Sequence, residues 1–270
     1  MPPAPDVPEP SSLYEAFTAH GPLEWPDGAG TAAAIARLYG AKATRMSLEM
    51  LDRALTVEPR ITTDFLNSLP PTAVPHHLDR RVKSPESLAR KIHEAMEKRK
   101  GSLPTDVLRY TALTARPDDL VETSRRLVDA LEEVDWRVTF AMQSYAEGSR
   151  YKGIHAYLAV PGFHRVEVQF HSAASAKVKD LMTRWYWIER DVRAPLSDRL
   201  AARQQCIDLS ATLAPPAGID RLATLGGRPV VVNNYSDALE QASPGGRKAQ
   251  QAWPPAELEP QRRANDGRAR

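Results

Sequence analysis

Alternation is the strongest periodic signal in this sequence. In Ile154-His-Ala-Tyr-Leu-Ala-Val160 the residues Ile154, Ala156, Leu158 and Val160 fall on one side of a strand, with His155 and Tyr157 on the other. Residues 165–171 repeat the pattern: Val166, Val168 and Phe170 are the apolar set, and Arg165, Glu167, Gln169 and His171 are the polar one. Pro161-Gly162-Phe163 between the two runs predicts a tight turn and therefore an antiparallel hairpin. One face of this hairpin reads as core. The other concentrates an acid, an amide and two imidazoles, which suits the floor of a site as well as it suits a solvated strand face.

Further strands are predicted at 106–113 and 136–142, an extended segment at 78–83, and a short strand at 228–233. Helical spacing appears at 84–98, where Ser84 is the N-cap, Pro85 the first helical residue and Leu88, Ile92 and Met96 the inward set. It recurs at 118–133 (Leu120, Leu127, Leu131 inward), at 173–190 (Val178, Leu181, Met182, Trp185, Ile188 inward) and at 197–213. Residues 11–70 read as short helices, including 47–55 with Leu48, Leu51 and Leu55. The order of elements predicts an α/β (α+β) domain with a mixed, mostly antiparallel sheet of about five strands flanked by helices, preceded by a helical lead-in. The expected division is a Pro-rich disordered tail at 1–10, the lead-in at 11–75, the main domain at 76–213, an extension at 214–242 and a disordered basic tail at 243–270.

With 270 residues of which 42% are apolar, the chain is long enough to bury a substantial core. A formal net charge of +2 excludes a strong global pull on polyanions, so any such attraction has to be local. The single cysteine, Cys206, excludes an internal disulfide framework and lies in a helical pattern that favours packing over nucleophilic chemistry. No apolar run reaches the roughly 18 residues of a membrane span, and the first residues resemble no signal peptide. The expected site of action is the cytoplasm, with export by a route that uses no such signal compatible with the sequence.

Three constellations carry chemistry. Arg81 and Lys83 on an extended segment would project to one side, beside the positive end of the helix that Ser84 opens, and Lys91 stands two turns further on. Cations gathered there suit a polyphosphate. Asp106, heading a buried strand, needs a cation or water to satisfy it, and with Glu167 of the hairpin it forms the pair of carboxylates that Mg²⁺ uses beside phosphate oxygens. Tyr151, just before the hairpin, is placed either to stack on a base or to close the sheet edge. Lys177 and Arg184 share the polar side of their helix, facing phosphate or water, and His76-His77 lacks further ligands at metal-binding spacing.

Taken together, Arg81-Val-Lys-Ser-Pro-Glu-Ser87, Asp106-Val-Leu-Arg-Tyr-Thr111, Tyr151-Lys-Gly-Ile-His155 and Glu167-Val-Gln-Phe-His171 resemble the RelA/SpoT synthetase domain in order and spacing, over about 78–190. The resemblance is nearer to the family's toxin-like branches. It implies a nucleotidyltransferase-like fold and transfer of pyrophosphate from ATP to the 3′-hydroxyl of an acceptor nucleotide, making alarmones such as ppGpp. By position it implies that Arg81, Lys83, Ser84 and Lys91 hold ATP and that Asp106 and Glu167 bind Mg²⁺, with Glu167 also accepting the hydroxyl proton. Tyr151, Lys152, His155 and Gln169 would meet the acceptor, either GDP/GTP or an adenine nucleotide. Alternatives are the 3′ end of tRNA as acceptor, a non-catalytic nucleotide-binding module and, for a toxin, a neutralising antitoxin as partner. The family pattern is departed from at Gly153, at His171-Ser172, at Arg109 and in the loop 143–150. These departures surround the acceptor, and no His-Asp hydrolase signature precedes the domain.

Overall fold

The computed structural model describes residues 7–25, 28–98, 104, 106–191 and 194–235. Helices α1 (Pro10–Ala16), α2 (Ala32–Tyr39) and α3 (Ala41–Ser68) come first, and a three-residue strand β1 (Ala73–Pro75) follows. Then come α4 (Pro85–Glu97), β2 (Leu108–Thr114), α5 (Leu120–Glu133), β3 (Arg137–Gln143), β4 (Ile154–Val160), β5 (Phe163–Ser172), α6 (Ala173–Arg190) and α7 (Leu196–Ala211). Two short strands end the described chain, β6 (Thr224–Leu225) and β7 (Arg228–Val232). No helix among the described residues is long and apolar enough to cross a membrane.

The strands form one seven-stranded sheet in the order β1-β2-β5-β4-β3-β7-β6. Pairing is antiparallel except at β2/β5 and β3/β7. The sheet is mixed and mostly antiparallel, as expected, but wider than about five strands. β1 and β6 are too short, at three and two residues, for alternation to show.

The predicted hairpin forms as β4 and β5 around Pro161-Gly162, where Gly162 adopts φ +76°, a conformation that glycine enters without steric cost. Its apolar set Ile154, Ala156, Leu158, Val166, Val168 and Phe170 is fully buried, and Leu108, Tyr110 and Ala112 of β2 continue the same face. Helices α3 and α5 cover that face. Full burial of a side chain such as Phe170 contributes about 1.5–3 kcal/mol. Leu48, Leu51, Ile61 and Phe65 of α3 belong to the same core, so the lead-in is continuous with the sheet. Helix α3 runs for 28 residues through Pro59, because apolar positions keep helical spacing on both sides of the missing N–H.

Several expectations need correction. Residues 78–83 are not extended: Leu78–Arg80 is a 3₁₀ turn, Arg81 remains in the right-handed helical region, and Val82 alone bridges to Leu108. Met96 is exposed rather than inward, and so is Leu181 at 54%. Pro10 opens α1 as a buried first residue, so the Pro-rich stretch yields to helix earlier than 11. The expectations for residues 1–6 and for the tail at 243–270 lie outside the described residues.

Candidate active site

The polar face of the hairpin is buried beneath α6, and the sheet register explains how it gathers its groups. Arg109 of β2, Glu167 of β5 and Tyr157 of β4 stand side by side across three strands, and Thr111, Gln169 and His155 form the next row. Helix α6 begins at Ser172, whose hydroxyl accepts from the Ser175 N–H while the Ser175 hydroxyl takes the Ser172 N–H, a reciprocal capping box. From there α6 turns Ser175, Lys179, Met182 and Tyr186 toward the sheet at spacings of three and four. Between sheet, α4 and α6 lies a cavity of about 690 Å³.

Of the expected site residues, Lys91, Asp106, Tyr151, His155, Glu167 and Gln169 line this cavity. Lys83 reaches its edge through Asp106. Three others lie elsewhere. Arg81 is 0% exposed, and its guanidinium is taken up by Glu58 (2.6 Å) and by the carbonyls of Leu78, Phe17 and Gly21. Ser84 is buried and caps α4, accepting from the Ser87 N–H at 3.2 Å. The Lys152 ammonium donates to the Leu213 carbonyl at 2.9 Å. Arg81 belongs to the core because the 3₁₀ turn rotates it inward, away from the face an extended segment would give it.

Sequence reasoning missed Arg109, Tyr157, Lys179, Arg150, Tyr186 and Tyr235, all of which line the cavity. Alternation along β2 exposes Arg109, since Leu108 and Tyr110 are core. Lys177 and Arg184 stay on the outer side of α6, where Arg184 stacks on Trp185 at 4.0 Å. The cation that α6 delivers is Lys179, whose ammonium donates to Gln169 Oε1 at 3.2 Å.

The two carboxylates are bound in the same one-sided way. Both Lys83 and Lys91 donate to Asp106 Oδ2. Glu167 Oε1 receives His155 Nδ1 (2.8 Å), Gln169 Nε2 (3.0 Å) and the Tyr157 hydroxyl (3.2 Å). Among the described residues Asp106 Oδ1 and Glu167 Oε2 receive no hydrogen bond. Burial alone would raise both acids, but Lys83 and Lys91 hold Asp106 well below the usual carboxylate range. The hydrogen bond from His155 likewise outweighs burial and brings Glu167 to about 2. Burial depresses Lys83 to about 8 against the attraction of Asp106, and it depresses Lys179 to about 8, with Arg109 adding repulsion. Both acids are anions at neutral pH, each with one oxygen unclaimed.

That pattern fits a hard divalent cation, which takes one or two carboxylate oxygens and completes its shell with water and phosphate. No group of three or more His, Cys, Asp or Glu among the described residues is placed to hold a metal unaided. Cations outnumber acids in the cavity wall: Lys91, Lys98, Arg109, Arg150, Lys179 and Arg190 face Glu94, Asp106 and Glu167. The opposite end is aromatic. Arg150 is bound to Glu189 (2.6 Å) and lies 6.0 Å from the Tyr186 ring centroid and 5.9 Å from that of Tyr235, and Arg190 covers Tyr186 at 4.7 Å. Flat apolar surfaces beside a surplus of cations match the chemistry of a nucleotide. Cys206 also reaches the wall, but burial raises its thiol to about 11, which makes it a poor nucleophile.

No family model matches the sequence, and no curated protein matches it. Solved structures do show similarity. The Type VI effector Tas1, solved in complex with its immunity protein, aligns at 14% identity over 64% of this chain and 96% of its own, with a TM-score of 0.39. The small alarmone synthetase 2 from Bacillus subtilis aligns at 14% identity over 63% and 90%, with a TM-score of 0.35. The small alarmone synthetase 1 from Bacillus subtilis, bound to its product pppGpp, aligns at 14% over 57% and 85%, also with a TM-score of 0.35. Residue roles in this chain rest on its own geometry.

Proposed function

We propose that this protein transfers the pyrophosphoryl group of ATP to the 3′-hydroxyl of an acceptor nucleotide. The observation that carries the reading is the pair Asp106 and Glu167, each with one unclaimed oxygen, in a cavity whose other walls are cationic and aromatic. The four-motif resemblance of the sequence agrees with it. Asp106 and Glu167 would hold Mg²⁺, which when bound draws charge from the phosphate oxygens and lowers the barrier to their displacement. Lys91, Arg109 and Lys179 supply the remaining neutralisation and align the triphosphate. In phosphoryl transfer such positioning and charge compensation account for most of the catalysis.

Glu167 is placed to take the proton. The acceptor hydroxyl oxygen forms a bond to the β-phosphorus, the bond from that phosphorus to the α–β bridging oxygen breaks, AMP departs with the bridging oxygen, and the hydroxyl proton passes to Glu167. Tyr151, Tyr186, Trp187 and Tyr235 offer ring surfaces for the two bases. The test is AMP release from ATP and Mg²⁺ with GDP, GTP, adenine nucleotides and tRNA as separate acceptors. AMP should appear with at least one acceptor and be lost in Glu167→Ala. Absence of AMP with every acceptor, or equal release by Glu167→Ala, would overturn the reading.

A further inference from the structure

One chain of hydrogen bonds beside Glu167 is unused by the steps above. Tyr151 places its hydroxyl between two imidazoles, 3.0 Å from His155 Nε2 and 2.7 Å from His171 Nε2. His155 continues to Glu167 through Nδ1 at 2.8 Å, and His171 continues to Ser175 Oγ through Nδ1 at 3.1 Å. His155, His171 and Ser175 are at most 4% exposed. The rings of His155 and His171 meet the Tyr151 ring at near-perpendicular angles of 63° and 81°.

The direction of these bonds follows from what each group can donate. An ionised carboxylate only accepts, so His155 Nδ1 carries the hydrogen that Glu167 receives. A neutral His155 then offers Nε2 as an acceptor, and the Tyr151 hydroxyl must donate to it. With its single hydrogen spent, Tyr151 can only accept from His171, whose hydrogen therefore sits on Nε2. His171 Nδ1 then faces Ser175 Oγ, whose single hydrogen is shared between this nitrogen and the Ser172 carbonyl, each at 3.1 Å. From His171 through Tyr151 and His155, the donors of this buried chain point toward Glu167.

Gly153 explains how the chain fits. A Cβ there would lie 2.9 Å from His171 Cε1 and 3.1 Å from the Tyr151 hydroxyl oxygen, whereas the backbone of Gly153 is not in the left-handed region. The glycine is needed for space, at the contact between Tyr151 and His171.

We propose that His171 is a positioning residue for Glu167, acting through Tyr151 and His155, and that Gly153 is glycine to admit it. The proposal rests on the reading of Glu167 as proton acceptor and metal ligand, and it gives the Tyr151 hydroxyl a role separate from any stacking by its ring. Holding His155 in one tautomer keeps the shortest of the three hydrogen bonds on Glu167 Oε1 and so fixes the carboxylate with Oε2 turned to the site. Residues that orient a ligating side chain in this way are worth about 10- to 100-fold in activity when lost.

The test combines kinetics with nitrogen-15 NMR of the histidine side chains in the full chain near neutral pH. His155 should be protonated at Nδ1 alone and His171 at Nε2 alone, and in Tyr151→Phe the single tautomer of His155 should give way to a mixture. Tyr151→Phe and His171→Leu should each lower kcat about 10- to 100-fold with little change in KM for ATP, and the double variant should be no worse than either, because they break one chain. His171→Gln, whose amide can still donate to Tyr151, should keep most of kcat. A proton on His155 Nε2 in the wild type, an unchanged His155 spectrum in Tyr151→Phe, or full kcat in Tyr151→Phe would each overturn the proposal. If the wild type releases no AMP with any acceptor, the transfer reading fails on its own, and the spectra still decide whether the oriented chain exists.

Discussion

Two buried ion-pair systems stand two residues apart at the entrance to α4, and they are built on opposite plans. Arg81 meets Glu58 with 0% and 1% side-chain exposure: Thr62 donates at 2.5 Å to the same Glu58 Oε1 that Arg81 binds, and three backbone carbonyls take the rest of the guanidinium. Lys83 and Lys91 instead crowd one oxygen of Asp106, placing two like charges together and leaving the second oxygen open. The first arrangement balances one cation against one acid, uses the whole guanidinium and joins α3 to the chain before α4. The second is left with excess positive charge and a spare lone pair, which a phosphate and a cation would complete. Burial, pairing and a spare carboxylate oxygen are therefore shared by both, and the second cation together with the cavity wall separates site from structure.

The difference breaks first at Arg81. Arg81→Met leaves Glu58 buried without its cation and should cost about 3–5 kcal/mol of stability, seen as a lower urea midpoint, while the folded fraction keeps its KM for ATP. Asp106→Asn should do the reverse. Turnover should fall on the order of 10³-fold with a stability change under about 1 kcal/mol, because Lys83, already depressed to about 8, can shed its proton when the carboxylate is lost. A large loss of stability in Asp106→Asn would place that cluster in the structural class.

A smaller effect appears with pH. Unfolded Lys83 holds its proton to about 10.5, whereas burial lowers the folded group to about 8. Between those values the unfolded chain binds more protons, so the contribution of Lys83 makes stability rise with pH across that window; below pH 8 its burial cost is fully present. Unfolding midpoints at pH 8 and pH 10 should therefore differ more in the wild type than in Lys83→Met, and an identical difference would refute the assignment. The smallest effects belong to Lys177→Ala and Arg184→Ala, on the outer side of α6. Both should leave turnover intact and stability within about 0.5 kcal/mol, whereas Lys179→Ala should lower turnover.

The hairpin was legible because one of its faces is wholly apolar, and alternation then assigns every polar group to the other face. Helix α6 was legible as a helix and misread in its facing. Its hydrophobic residues suggested an inward set that includes Leu181, yet Leu181 and Trp187 are each 54% exposed while Ser175 and Glu189 are buried. The cause is the floor it covers: a helix laid over a polar sheet face turns polar and aromatic residues inward, so hydrophobicity reports the wrong side. Arg81 was misplaced for a different reason. A 3₁₀ turn of three residues leaves no periodic trace, and one such turn was enough to exchange a surface cation for a core one.

The parallel pairing of β2 with β5 has a consequence for how activity is born. Arg109 and Glu167 are neighbours in the sheet but lie 58 positions apart in the chain, with α5, β3 and β4 between them. Pairings of such long range are late and slow events in folding, since loop closure precedes any reward from contact. A ribosome extends the chain at roughly 5–20 residues per second, so several seconds pass between the synthesis of Arg109 and that of Glu167. Lys179 and Tyr186 of α6 follow later still, so the cavity wall is complete only once β5 has closed the sheet and α6 has covered it.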